Sequence, residues 1–162
     1  MGHISAAHYL DLSTHNRWYV LANRTHAVVY TNGAKSPFQF VQRLSNPEGR
    51  MMEIELDADK PGRGVSSAGQ GTFRHAFDRR SHSHERSAKR FALQIGQALT
   101  QAWLTGLFDH LTLVAEPHFL GLLRGALPPA IRDRITHEVV REYLTGSDAE
   151  IWEQILRQIN EG

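Results

Sequence analysis

The stretch "SHERSAKRFALQIGQALTQAWLTGLFDHLTLVAE", residues 83–116, decides the fold class of this chain. Its apolar residues recur at the i, i+3, i+4, i+7 spacing of a helix that buries one face; they are Ala88, Phe91, Ala92, Ile95, Leu99, Ala102 and Trp103. Ser83 is expected to cap this helix and Gly106 to end it. The apolar run at 110–116 predicts a buried strand, against which the helix should pack.

The segments before this helix predict strands. "WYVLAN" (18–23) and "HAVVYTN" (26–32) are rich in aromatic and β-branched residues, and a tight turn separates them. "FQFVQRL" (38–44) alternates loosely and predicts a third strand with one buried face. In "SNPEGRMMEIEL" (45–56), Pro47 fits the first position of a short helix that begins at Ser45 or Asn46, but "MMEIEL" fits a strand equally well.

The segments after the strand at 110–116 alternate in type. Pro117 should open a helix through "HFLGLLRGAL", which Pro128 and Pro129 break. "RITHEVVREY" (134–143) fits a strand or a short helix, and "SDAEIWEQILRQI" (147–159) a terminal helix capped by Ser147. This order predicts the α/β class: a single layered domain over residues 17–162, with a mixed central sheet and flanking helices, preceded by a polar segment at 1–16.

The composition is that of an ordinary soluble domain. The 162 residues are 41% apolar and 22% charged, which fits one domain with a real core. The absence of cysteine excludes a disulfide framework, a thiolate metal site and a cysteine nucleophile. No apolar run approaches about 18 residues, and the N-terminus lacks the pattern of a secretory signal. We therefore expect no membrane insertion and a cytoplasmic location.

A glycine-rich loop is expected at about 57–82. The stretch "DKPGRGVSSAGQG" (59–71) has almost no apolar side chain, and its four glycines should make it flexible: Gly62, Gly64, Gly69 and Gly71. It lacks the context of a dinucleotide fingerprint and the Gly-Lys-Ser/Thr of a P-loop. Two interpretations stay open: a mobile surface loop, or a loop whose tip enters the site of another molecule.

The net charge of +1 conceals two patches of opposite sign. Residues 60–90 contain eight Lys and Arg against Asp78 and Glu85, whereas residues 133–162 contain seven acids against three Arg. The basic run "RRSHSHERSAKR" (79–90) could bind phosphates or form a solvated helix face. The candidate RNA-binding residues are Arg63, Arg74, Arg79, Arg80, Arg86, Lys89 and Arg90.

Motifs for other chemistry are weak or absent. "HSHE" (82–85) and the nearby His75 invite a metal interpretation, but no further ligand follows at a defined spacing, and a polar helix start explains them more simply. We predict no metal and no cofactor. The chain has no G-x-S-x-G motif, no H-E-x-x-H motif and no placeable carboxylate pair. Whether the protein is an enzyme is left open.

The chain from Trp18 onward resembles the bacterial host attachment protein family. The pieces that carry the resemblance, in order, are "WYVLANRTHAVVY", "LSNPEGR", "ELDADKPGR", "SAGQGTFRH", "HERSAKRFA", "FDHLTLVAEPHFLGLLRGAL" and "REYLTGSDAEIWEQI". That family is similar to the middle domain of archaeal and eukaryotic class-1 peptide release factors. There a Gly-Gly-Gln loop precedes a long basic-faced helix and a buried strand.

The resemblance implies a release-factor middle-domain fold and a ribosome-associated or RNA-binding function. It also implies hydrolysis of a peptidyl-tRNA ester as a further activity, in which the glutamine positions water. Gln70 is the candidate for that role, although Ala68 stands where the first glycine of the triplet would be, and "VSSA" separates "GRG" from "GQ". The alternative is a non-enzymatic protein-interaction module acting indirectly in attachment to host cells, with its acidic C-terminal third as the docking face for a protein partner.

Overall fold

Five strands form one mixed sheet in the computed structural model, which describes residues 16–32, 38–58, 70–141 and 145–161. The strands are β1 (Arg17–Ala22), β2 (His26–Thr31), β3 (Gln39–Ser45), β4 (His110–Ala115) and β5 (Ile135–Val140). Their order in the sheet is β3-β2-β1-β4-β5. The β1–β2 and β2–β3 pairs are antiparallel, and the β1–β4 and β4–β5 pairs are parallel. The predicted α/β class with a mixed central sheet is confirmed.

The helices lie on both faces of this sheet. They are α1 (Pro47–Ala58), α2 (Gln70–Leu104), α3 (Pro117–Ala126), α4 (Pro129–Arg132) and α5 (Asp148–Glu161). Apolar residues of α2 and α3 share one buried cluster with one face of the sheet. Apolar residues of α5 share a second cluster with the opposite face. The chain is therefore a three-layered domain with helices on both sides.

Alternation along the strands divides residues between the two clusters. Trp18 and Val20 of β1 belong to the cluster beneath α2, whereas Tyr19 belongs to the cluster beneath α5. Leu113 and Val114 of β4 divide in the same way. A strand buried on both faces needs apolar residues at nearly every position, which explains the compact apolar run that predicts β4.

The predicted contact between the long helix and β4 is confirmed. Phe91, Ile95 and Leu99 of α2 are fully buried and share a cluster with Leu111 and Leu113. Gly106 has a φ of 73°, in the left-handed region that favours glycine, and it follows the end of α2 at Leu104. The register and the end of this helix therefore agree with the sequence prediction.

Side-chain caps fix the starts of α3 and α5. The Glu116 carboxylate accepts hydrogen bonds from the backbone N–H groups of Phe119 at 2.7 Å and His118 at 3.2 Å. Ser147 Oγ accepts from the N–H of Glu150 at 3.3 Å, and the Glu150 carboxylate accepts from the N–H of Ser147 at 3.0 Å. This reciprocal pair is a capping box and confirms Ser147 as the predicted cap.

The structure shortens the predicted loop from both ends. Residues 57 and 58 end α1, and residues 70–82 belong to α2, so the helix begins thirteen residues before Ser83. Ser83 is an interior residue, and its Oγ accepts from Arg86 Nη2 at 3.3 Å instead of capping the helix. The prediction was wrong because the apolar spacing in residues 70–82 is limited to Phe73, Ala76 and Phe77, which is too short to predict a helix, whereas helix propagation from an established turn needs no longer pattern.

The two ambiguous segments are resolved. Residues 47–58 form helix α1, with Pro47 at its first position, and residues 135–140 form strand β5. Residues 1–15 of the predicted polar segment lie outside the described residues. Among the described helices, none combines the length and the apolar character needed to cross a membrane.

Candidate nucleic-acid interface

The N-terminal part of α2 presents positive charge to solvent. We call residues 75–90 the basic segment; its exposed residues include Arg79, Arg80, Arg86, Lys89 and Arg90. On a helix with 3.6 residues per turn, Arg79, Arg86 and Arg90 fall on one face, opposite the buried Ala88. The structure therefore brings these predicted residues together on one side of one rigid element.

Two exposed histidines extend this row of charge. His75 and His82 are exposed and complete a series at positions 75, 79, 82, 86 and 90, in which each step is three or four residues. We call these five residues the basic stripe. It spans about 22 Å along the helix axis, at about 1.5 Å per residue. From the sequence, these histidines were expected to belong to a polar helix start. Their spacing of three or four residues from the arginines is the signal that predicts their place on the stripe.

Among the described residues, the arginines of the stripe have weak partners. Arg79 Nε donates to the carbonyl oxygen of His75 at 3.4 Å, and Arg86 donates to Ser83 Oγ. Arg90 Nη2 lies 3.3 Å from a Glu48 carboxylate oxygen of α1, and both side chains are exposed. Exposed pairs of this kind contribute about 0–1 kcal/mol, so a phosphate could displace them readily.

The described acidic residues near the stripe include Asp78 and Glu85 of α2 and Glu48 of α1. The Glu85 carboxylate contacts His118 Nε2 of α3 at 2.8 Å, and Asp78 is exposed on α2. The local excess of positive charge seen in the sequence is therefore still present on the folded helix.

A buried polar contact holds the basic segment against the rest of the fold. Asn46 Nδ2 donates to the carbonyl oxygen of Arg24 at 2.9 Å and to Ser87 Oγ at 3.0 Å. Asn46 precedes α1, Arg24 lies in the β1–β2 turn, and Ser87 lies on α2. Gly49 permits this close packing, because a Cβ there would lie 2.5 Å from the Arg24 carbonyl oxygen. Three elements thus position the basic segment.

The predicted glycine-rich site is placed only in part. Gln70 and Gly71 are the first two residues of α2, and Arg74 follows one turn later. The side chains of Gln70 and Arg74 are not among those described. Four of the predicted residues lie outside the described ones: Gly62, Arg63, Gly64 and Gly69. The flexibility of this loop therefore stays a prediction. The roles of these residues remain predictions.

The side chains with a shifted pKa belong to other parts of the fold. Burial lowers the pKa of His26, with Arg43 acting in the same direction and Glu53 against it. Burial and then the Arg17 charge lower the pKa of His137. Burial, followed by its hydrogen bond to Asp148, raises the pKa of Tyr30 to about 12. Among the described residues, no group of three or more His, Asp or Glu side chains could hold a metal ion.

A family comparison covers most of the chain. A model described as "Protein required for attachment to host cells" matches residues 18–155. The chain belongs to this family. Its match includes β1 apart from Arg17, the strands β2 to β5, the whole of α2 and every residue of the basic stripe. None of the curated proteins compared with the chain matches it.

Solved structures show a distant similarity to this member of the attachment family. A crystal structure of the archaeal translation termination factor aRF1 has a TM-score of 0.43 and 9% identity, over 94% of this chain and 42% of that one. A structure titled "Archaeal protein" has the same score and identity, over 90% and 38%. The chain thus spans about two fifths of the length of each. At these scores the similarity is no basis for assigning RNA binding or catalysis.

Proposed function

We propose that the protein binds RNA, either free or as part of the ribosome, through the basic stripe of α2. The observation that carries the proposal is the stripe itself: three arginines and two histidines, all exposed, in line on one helix. Phosphates attract such a row regardless of base sequence, and each neutralised phosphate releases counterions. The same proposal includes a cytoplasmic location, where RNA and ribosomes are available.

The arrangement favours a nucleic acid over a compact anion. The stripe runs for about 22 Å along a straight element, so several phosphates of one strand can contact it together. Guanidinium groups bind phosphates with two parallel hydrogen bonds. Among the described residues, the one carboxylate in contact with a stripe arginine is that of Glu48, and this pair is exposed.

The test compares two triple variants that change the net charge equally. Arg79, Arg86 and Arg90 are replaced with Gln in one variant, and Gln94, Gln97 and Gln101 with Glu in the other. All six positions are exposed on the same side of α2, and each variant lowers the net charge by three units. Fluorescence anisotropy with a labelled single-stranded RNA, repeated over a series of salt concentrations, measures the affinity of each.

The arginine variant should bind RNA about ten- to a hundredfold more weakly, and its salt slope should fall by about two, since each single-strand phosphate contact contributes about 0.7. The glutamine variant should lose much less affinity. No measurable affinity of the unmodified protein at low salt would refute the proposal. Equal losses in both variants would show that net charge, and not the stripe, governs binding.

A rival proposal is docking of a protein partner on the acidic C-terminal third. Glu150, Glu153 and Glu161 of α5 are exposed. Pull-down from bacterial lysate with and without ribonuclease separates the two proposals. Partners that survive ribonuclease, and disappear when these three glutamates are replaced with Gln, would favour the rival.

Ester hydrolysis at Gln70 is a finer proposal that depends on ribosome binding. A neutral amide cannot act as a general base, so Gln70 could only orient water or donate a hydrogen bond to developing charge. Gln70 is the first residue of α2, five residues before His75, where the basic stripe begins. Gln70→Ala should then reduce peptidyl-tRNA hydrolysis on ribosomes while leaving ribosome binding unchanged. Equal hydrolysis by both proteins would remove the catalytic role.

A further inference from the structure

A cavity of about 450 Å³ opens at the carboxyl ends of the parallel strands. The residues that directly follow β1, β4 and β5 line it: Asn23, Glu116 and Arg141. In open α/β sheets, ligands bind in the crevice outside the carboxyl ends of the strands. The volume also lies within the range of small-molecule sites. The cavity is separate from the basic stripe, none of whose residues line it.

Arg141 is the unusual feature of this cavity. Its backbone N–H donates to the carbonyl oxygen of Ala115 at 3.0 Å, which fixes the residue at the end of β5. Its side chain is half-buried, and the buried Nε has no hydrogen-bond partner. No carboxylate of the described residues forms an ion pair with it. A buried donor without an acceptor costs about 1–3 kcal/mol, and more when it is charged.

Two described acidic residues line the cavity, Glu53 and Glu116, and neither forms an ion pair with Arg141. Both oxygens of Glu116 accept from the backbone at the start of α3. Glu53 of α1 acts on His26, on the β2 side of the cavity. With Arg24 and Arg141 balancing Glu53 and Glu116, the lining is close to neutral, which favours a ligand with one negative charge over a phosphate dianion.

One wall of the cavity is apolar. Leu21 of β1, Val28 of β2 and Val114 of β4 contribute it from the sheet face that α5 covers in part, and Ile151 contributes it from α5. Such a wall binds the hydrocarbon part of a ligand by excluding water from both surfaces. The lining thus offers one charged position beside an apolar surface.

We propose that this cavity binds a small carboxylic acid whose carboxylate accepts hydrogen bonds from Arg141 and whose hydrocarbon part lies against Leu21, Val28, Val114 and Ile151. The guanidinium fork matches the two oxygens of a carboxylate. This ligand would satisfy the Arg141 side chain and fill the cavity. The proposal is independent of RNA binding, since it involves no residue of the basic stripe.

Isothermal titration calorimetry of the full chain with octanoate, octanamide and octyl phosphate tests the proposal. The three probes share an eight-carbon chain length and differ in the head group. Octanoate should bind at least about tenfold more tightly than octanamide, because only the carboxylate can pair its negative charge with the guanidinium and accept two parallel hydrogen bonds from it. Octyl phosphate should bind more weakly than octanoate. Equal binding of octanoate and octanamide, absence of octanoate binding, or tighter binding of octyl phosphate would overturn the proposal without any variant.

Arg17 supplies a matched control. It lies at the opposite end of the sheet, its Nε is likewise buried without a partner, and it is not among the cavity residues. Arg141→Gln should remove the tenfold preference for octanoate, whereas Arg17→Gln should retain it. Circular dichroism confirms that each variant is folded. If both variants lost the preference equally, or if Arg141→Gln retained it, the assignment of Arg141 would be wrong.

Discussion

Residues 75–90 and 91–104 belong to the same helix, but they meet different surroundings. In the core segment, as we call residues 91–104, Phe91, Ile95 and Leu99 are fully buried against the sheet and α3. In the basic segment the arginines face solvent, and burial is confined to Ser87 and Ala88 among its described side chains. The core segment therefore stabilises the fold, whereas the exposed face of the basic segment is accessible to a ligand.

The comparison predicts different effects on stability at two leucines of the core segment. Leu99 is 1% exposed and Leu104 is 71% exposed. Leu99→Ala should lower the free energy of unfolding by about 2–5 kcal/mol, because it removes buried methyl groups and leaves a cavity. Leu104→Ala should change it by less than about 0.5 kcal/mol. Urea unfolding followed by circular dichroism measures both, and similar losses at the two positions would contradict the register of α2.

The difference between the segments also explains how much of α2 the sequence could predict. Burial leaves a periodic apolar pattern, so the core segment, its register and its stop at Gly106 were predictable. Residues 70–82 show only the short spacing of Phe73, Ala76 and Phe77 among polar residues, so the sequence predicted a loop there. No proline interrupts residues 70–104, and a helix anchored by its core segment can extend through a charged sequence.

The two candidate sites also differ in how far the sequence could predict them. The charges of the basic stripe are local in sequence, and the arginines could be named before the structure was known. The cavity residues come from β1, β2, β4, α1, α5 and the segments between them. In the sequence, Arg141 lies in a segment (134–143) that fitted either a strand or a short helix. Only the topology of the fold brings it to the same cavity as Val114 and Leu21. No local pattern could have predicted that arrangement.

The hydrogen bonds of Asn46, which connect the start of α1 to the basic segment, give a second, smaller stability prediction. Asn46 is 9% exposed, and its amide connects the Arg24 carbonyl oxygen to Ser87 Oγ. Asn46→Ala should lower the free energy of unfolding by about 1–3 kcal/mol, because the buried Ser87 Oγ and the part-buried Arg24 carbonyl oxygen lose their donor. Ser87→Ala should cost less, since Asn46 keeps its bond to Arg24. Equal stability of Asn46→Ala and the unmodified protein in urea unfolding would show that this contact does not hold the segment.

The smallest expected effect concerns the one ion pair between α1 and the stripe. Glu48 lies 3.3 Å from Arg90, and both side chains are exposed, so Glu48→Gln should change the free energy of unfolding by less than about 0.5 kcal/mol. If Arg90 contacts RNA as proposed, the same variant should raise RNA affinity by about two- to threefold, because Arg90 no longer has a competing carboxylate.

Glu55→Gln is the control for this last prediction. Glu55 is exposed on the same helix, and its replacement raises the net charge by the same single unit. A larger gain in RNA affinity for Glu48→Gln than for Glu55→Gln, measured by anisotropy at one fixed salt concentration, would place a phosphate beside Arg90. Equal gains would mean that only net charge matters, and the basic segment would then differ from the core segment in exposure but not in ligand binding.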